Sequence, residues 1–220
     1  MTLPRTDVIG GLEAELQAFG RLIGPLDDGA WRTPTRCEGW TVANVSAHVV
    51  GSMADVVAGR LDGLGSPEAT AREVAERADW TPAQMVAELD DVTRQAAELA
   101  ALFDDAAWEA AAPGGYDGTL GQGLEALWYD TYLHADDIRQ ALGRPSERGD
   151  GLRAGVHHVA AELDKRGWGP ATLAFDGLEA VPVGAGGATV TGDALDFVLV
   201  ATGRIDPAGA GPTVPLNIYA

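Results

Sequence analysis

The sequence predicts a mainly α-helical protein, a four-helix bundle followed by a small α+β domain. Three observations predict it. Four segments repeat apolar residues at spacings of three and four, the period of a helix that buries one face. Each is polar on the opposite face and is bounded by capping or breaking residues. After Pro145 that period gives way to short β-rich runs separated by glycines.

The first helix carries Val8, Leu12, Leu16, Phe19 and Ile23, with Thr6 or Asp7 available to cap its start. The second carries Val42, Val45, Val49, Met53 and Val56 behind Thr41 as N-cap. Thr81-Pro82-Ala83-Gln84 is a capping box with proline at the first helical position, and it opens a stripe of Met85, Leu89, Val92, Ala96, Leu99 and Phe103. The fourth helix starts at Thr119, with Gln122 three residues on, and its stripe runs Leu120, Leu124, Leu127, Thr131, His134, Ile138 and Ala141. Gly143 and Arg144-Pro145 end it. Four such helices bury their stripes most simply against one another. The connections 24–40 and 60–80 are long enough to cross the bundle or to build a mouth at one end.

Ser146–Gly151 reads as a linker, which divides the chain into a bundle over 1–147 and an appendage over 148–220. In the appendage a helix is expected from Leu152 to Lys165, ended by Gly167. Short strands are expected at Ala171–Asp176 and Ala188–Thr191, then a helix from Ala194 to Thr202 and a loop from Asp206.

Composition excludes several classes of function. Fifteen basic residues against 33 acidic ones give a formal net charge of −18, which argues against binding nucleic acid or an anionic membrane surface. No window approaches the ~18 apolar residues of a membrane span. The single cysteine, Cys37, cannot form an internal disulfide, and the first residues lack a signal-peptide pattern. The expected location is cytoplasmic. Arg36, Arg139 and Arg204 are the local charges that can attract an anionic substrate.

Of the four histidines, two carry most of the chemical information. His134 lies on the fourth helix with Asp130 one turn before it on the same side. His48 borders the stripe of the second helix. If those two helices face each other, His48, Asp130 and His134 converge, and two imidazoles with one carboxylate form a three-ligand set that leaves positions open for water or substrate. On spacing alone the plainer reading is a core histidine satisfied by Asp130. His157 and His158, neighbours on a helix, point about 100° apart and are expected at the surface or between domains.

The segment Trp31-Arg-Thr-Pro-Thr-Arg-Cys-Glu-Gly-Trp40-Thr-Val-Ala-Asn-Val-Ser-Ala-His48 resembles the signature of the mycothiol-dependent maleylpyruvate isomerase family, one of the DinB-like metal-binding bundles. Trp128-Tyr-Asp130-Thr-Tyr-Leu-His134-Ala-Asp-Asp137-Ile-Arg-Gln-Ala-Leu-Gly143 is similar to the family's second motif, in the same order along the chain. With the four helices, the resemblance covers roughly residues 5–145. Val190–Arg204 resembles the helix of the family's C-terminal domain, which ends in Gly-Arg.

The resemblance implies a DinB-like bundle that binds a divalent metal, usually zinc, through His48, Asp130 and His134. The family carries glutamate at the middle position, so Asp130 is a departure by one methylene. Nickel, iron or manganese also suit such a mixed donor set. It further implies mycothiol, the sugar-linked thiol of actinobacteria, as co-substrate. The metal holds the thiol as thiolate, and thiolate addition to an activated double bond followed by elimination isomerises it; relatives use the thiolate for S-transfer. The implied partners are a small electrophilic substrate and that thiol, with Arg204 binding a substrate carboxylate. A surface arginine favoured by a helix C-terminus is the competing reading of Arg204. Cys37 and the tryptophans Trp31 and Trp40 are expected to be structural, and Asp137 to orient an imidazole. A non-catalytic bundle that binds a metal or a small molecule is the alternative to the enzyme.

Overall fold

The computed structural model describes residues 3–207 and 217–219, so the loop expected from Asp206 lies mostly outside the described residues. Pro4–Ser146 form one compact unit, and the described residues from Glu147 onward belong to a second.

The first unit contains α1 (Arg5–Ile23), α2 (Asp28–Trp31), α3 (Val42–Val57), α4 (Pro67–Glu76), α5 (Pro82–Ala100), α6 (Asp105–Glu109) and α7 (Leu120–Ala141). The long helices α1, α3, α5 and α7 are the four predicted from periodicity. Their starts follow from local chemistry: Thr41, Thr81 and Thr119 each accept a backbone N–H three residues on, while the third residue's side chain returns the bond. The first helix differs, beginning one residue before Thr6 on Pro4, which caps with no side chain. The third ends at Ala100, short of Phe103.

Helix α1 packs on α5 and α7, and α3 packs on the same two, so the successive long helices α1 and α3 share neighbours. The α1–α7 seam is close. Gly11 lies against the buried Trp128, and a Cβ there would sit 2.2 Å from the indole. The stretches 24–40 and 60–80 are not plain connections. They fold into α2 and α4, capped by Asp27 and Ser66, and α4 packs on α3.

Helix α7 departs from the expected single stripe. Every residue from Thr131 to Arg139 is buried, whereas Leu120, Leu124 and Leu127 are only half-buried. Helices α1 and α3 both pack on α7, and Arg36 of the 32–41 loop reaches Asp136 and Asp137 in its second half. Asp136, Asp137 and Arg139 are therefore buried charges.

The second unit holds α8 (Asp150–Lys165), β1 (Ala171–Leu173), β2 (Val181–Val183), β3 (Ala188–Val190) and α9 (Ala194–Ala201). The sheet order is β2-β1-β3, with β1 antiparallel to β2 and parallel to β3. Helix α8 packs on α9 and β2. Strand β2 falls where only glycine-rich turns were expected. Pro182 masks it in the sequence and is tolerated because β2 is an edge strand. Among the described residues no helix is long and apolar enough to cross a membrane.

Candidate metal centre

Two helices and a loop bring the predicted residues together within the first unit. His48 stands two turns into α3, and Asp130 and His134 lie one turn apart on α7, which packs against α3. One ligand atom from each of the three lies within 4.8 Å of the others. The Nε2 atoms of His48 and His134 are each 3.5 Å from Asp130, one from each carboxylate oxygen. The two imidazoles meet edge to face with centroids 5.1 Å apart.

The far side of each ring is held by a different carboxylate. His134 Nδ1 donates to Asp137 Oδ2 at 2.9 Å, one turn along α7. His48 Nδ1 donates to Glu73 Oε2 at 2.7 Å. Both carboxylates are buried, so each ring is fixed in orientation with Nε2 turned inward. This crowd of carboxylates dominates His48. Burial pulls its pKa down, but hydrogen bonds and charge from Asp130 and Glu73 outweigh that and push it up to about 10.

The loop before α3 closes one side. Thr35 N–H donates to the Trp40 carbonyl at 2.8 Å, Trp40 N–H donates to the Cys37 carbonyl, and Gly39 takes a positive φ of 78° that closes the turn. This sets the Trp40 ring against both imidazoles, its centroid 6.4 Å from that of His134 in a stacked arrangement and 5.5 Å from that of His48. Trp40 thus walls the site as well as anchoring the loop. Trp31 is buried and donates to the Trp80 carbonyl, an anchoring role. Cys37 Sγ donates to Asp137 Oδ2 at 3.1 Å.

Arg36 corrects an expectation. It is not available to draw in an anion, because its Nε reaches Asp137 and its Nη2 reaches Asp136, each at 2.6 Å. Arg139 is likewise buried in the bundle. The guanidinium also decides between two possible donor groups. Cys37, His134 and Asp137 lie close enough to ligate an ion, but Arg36 already neutralises Asp137 there. In the His48–Asp130–His134 group both imidazoles turn Nε2 toward Asp130, whose side chain is 33% exposed, which leaves an approach from solvent. As a donor set it suits a divalent ion with open positions.

Arg204 lies in the second unit, just after α9, where its N–H bonds the Leu199 carbonyl. Of the two positions expected for His157, at the surface or between domains, the surface is excluded: it is buried on α8, with its ring beside Glu179 of the second unit. Glu73 was not anticipated. Its segment does carry a helix-start signal, Ser66 followed by Pro67, but the helix has no apolar stripe to mark which face turns inward.

A family model described as the mycothiol maleylpyruvate isomerase N-terminal domain matches residues 12–139, a span that holds the whole candidate centre. Two solved structures share the fold along nearly the full length: the mycothiol-dependent maleylpyruvate isomerase and a histidine-to-alanine variant of it. Each gives a TM-score of 0.64 at 18% identity, covering 98% of this chain and 98% of that one. None of the curated proteins compared matches the chain. With more than half of its length matched by the family model, and with the mainly helical fold and small C-terminal sheet of the solved structures, the chain belongs to the mycothiol maleylpyruvate isomerase family.

Proposed function

We propose that this protein is a metal-dependent enzyme that uses mycothiol or a similar low-molecular-weight thiol, acting as an isomerase or S-transferase on a small electrophile. One observation carries the reading: in a chain of this family, His48, Asp130 and His134 stand together with both imidazoles held from behind by buried carboxylates. These three residues would hold the ion, zinc by resemblance. Bound there, a divalent ion lowers the pKa of a coordinated thiol and keeps it as the reactive thiolate.

The chain's own groups do the rest. Glu73 and Asp137 orient the rings, Arg36 fastens the 32–41 loop through Asp136 and Asp137, and Trp40 excludes water from one side. The exposed edge of Asp130 leaves room for thiol and substrate. Arg204 is assigned to a substrate carboxylate on the resemblance of its Gly-Arg ending, and Arg204→Ala should raise KM for an anionic substrate. A cytoplasmic location accords with the single cysteine.

Metal content of gently purified wild type and His134→Ala tests the proposal, followed by consumption of a panel of electrophiles, maleylpyruvate included, with mycothiol. Stoichiometric metal lost in the variant, and thiol-dependent turnover, are expected. A wild type that carries no metal and gains none on titration would falsify the metal reading. The shorter Asp130 favours one second reading, a bundle that binds a metal or small molecule without turnover. Metal binding with no electrophile consumed selects it.

A further inference from the structure

We propose that Glu73 is a positioning residue for His48, and that α4 serves to deliver it to the back of that imidazole. The inference rests on the metal reading of His48, Asp130 and His134.

Helix α4 is a poor structural helix in its own right. Of its ten residues only Ala69 and Glu73 are buried, so the one large group that it turns inward is a carboxylate. Glu73 is 1% exposed, and among the described residues its Oε1 has no hydrogen-bond partner while Oε2 is 2.7 Å from His48 Nδ1. A buried carboxylate with one oxygen unmatched is costly, and an apolar side chain of the same volume would serve packing better. Its one side-chain bond goes to the imidazole.

Ion pairs tie α4 to its neighbours. Arg72 and Arg60 both reach the buried Asp55 of α3, Arg60 at 2.5–2.8 Å. Arg77, at the end of α4, forms a two-pronged pair with Glu88 of α5 at 2.6 and 2.9 Å. The approach to α3 is possible because residue 51 is glycine: a Cβ there would lie 2.7 Å from Glu73 Cβ and 2.9 Å from Arg77 Nη1. Two ion-pair clusters and a glycine thus converge on seating one acidic side chain.

The chemical result is a fixed tautomer. With Nδ1–H donated to Glu73, it is Nε2 that gives up its proton when the ring is neutral, as ligation requires, and its lone pair then faces Asp130 and His134. Asp137 does the same for His134 from its own helix. His48 depends instead on a separate short helix, so displacement of α4 loosens one ligand and leaves the other two in place.

The test compares Co2+ affinity, by competition with a chromophoric chelator, and the Co2+ d–d spectrum for wild type, Glu73→Gln, Glu73→Met and Gly51→Ala. Glu73→Met keeps the volume without the acceptor and should weaken binding by roughly 10–100-fold and shift the spectrum. Glu73→Gln, whose amide oxygen can take the same hydrogen bond, should recover most of the affinity. Gly51→Ala, with every ligand intact, should move binding in the direction of Glu73→Met. Folded Glu73→Met with wild-type affinity and spectrum overturns the inference alone. A wild type that takes up no Co2+ overturns the metal reading and this inference with it.

Discussion

Arg36 and Asp137, 101 positions apart in the chain, meet at 2.6 Å in a nearly closed interior. The same guanidinium holds Asp136, and the two carboxylates are 1% and 0% exposed. Removing the cation leaves two buried negative charges side by side on α7. Arg36→Ala should lose about 3–5 kcal/mol in chemical denaturation, the range for breaking a buried pair from one side. Arg36→Lys should restore part of that, since one ammonium cannot serve both carboxylates in the fork geometry. An Arg36→Ala midpoint equal to wild type refutes the clamp.

Gly11 sets how closely α1 approaches α7. The Cβ of Gly11→Ala would fall 2.2 Å from the Trp128 ring, and a rigid buried indole cannot yield without moving its neighbours. The expected loss is about 1–3 kcal/mol, the range for overpacking a filled core. Gly10→Ala, on the same helix with nothing within 4 Å, should be neutral or slightly stabilising. Denaturation of the two single variants decides it; similar behaviour in both would contradict the seam.

Asp193 caps α9 by accepting the N–H groups of Leu195 and Asp196 at 2.9 and 3.0 Å, and it also pairs with Arg148 at 2.6 Å. Partial burial opposes ionisation, but Arg148 and the two N–H groups prevail and hold its pKa below the usual value. Asp193→Ala should cost about 1 kcal/mol, within the usual range for a lost cap. Asp193→Asn should cost less because the amide oxygen can still cap. Hydrogen exchange at α9 amides measures both, and equal protection in Asp193→Ala and wild type argues against the cap.

His157 supplies a pH dependence away from the candidate centre. Burial lowers its pKa below 6.5; the charge of Arg153 adds to this and that of Glu179 opposes it. The unfolded chain therefore binds the proton more readily than the folded one. The neutral ring contributes its stability in full above pH 6.5, and that contribution is lost as the pH falls below 6.5 toward the depressed value. The slope is at most one proton, about 1.4 kcal/mol per pH unit. Native-state hydrogen exchange of α8 amides should show protection falling from pH 7 to 5 in wild type, with a flatter profile in His157→Leu. Parallel profiles would rule the histidine out.

The legible parts of this fold share one property: their local chemistry and their burial agree. Thr81 and Thr119 announce helices by capping boxes, and the stripes behind them are apolar and buried at Met85, Leu89 and Ile138. Asp130 and His134 could be placed on one side of one helix by spacing, but the facing of α3 and α7 that brings His48 to them needed the family resemblance. What stayed hidden is where burial contradicts polarity. Asp136 carries no sign of burial in the sequence, and Asp137, expected to orient an imidazole, and Arg139, expected to draw an anion, are buried too; Arg36 comes from a distant loop to neutralise the two carboxylates. Glu73 is hidden for the same reason, and β2 because Pro182 looks like a turn residue.

The candidate centre has a local half on α7, where Asp130, His134 and Asp137 are one turn apart, but no local segment completes it. Its parts are joined by contacts such as His48 to Glu73, 25 residues apart, and Arg36 to Asp137, 101 apart, and no stretch shorter than His48–His134 contains the three donors. Closing loops of that length is an entropic step that pays off only when α3 and α7 have docked. An ion held there would arrive after the bundle is built and could not nucleate it, so its uptake rate in refolding would time the last stage of assembly, and its escape would be an early sign that the helices had begun to part.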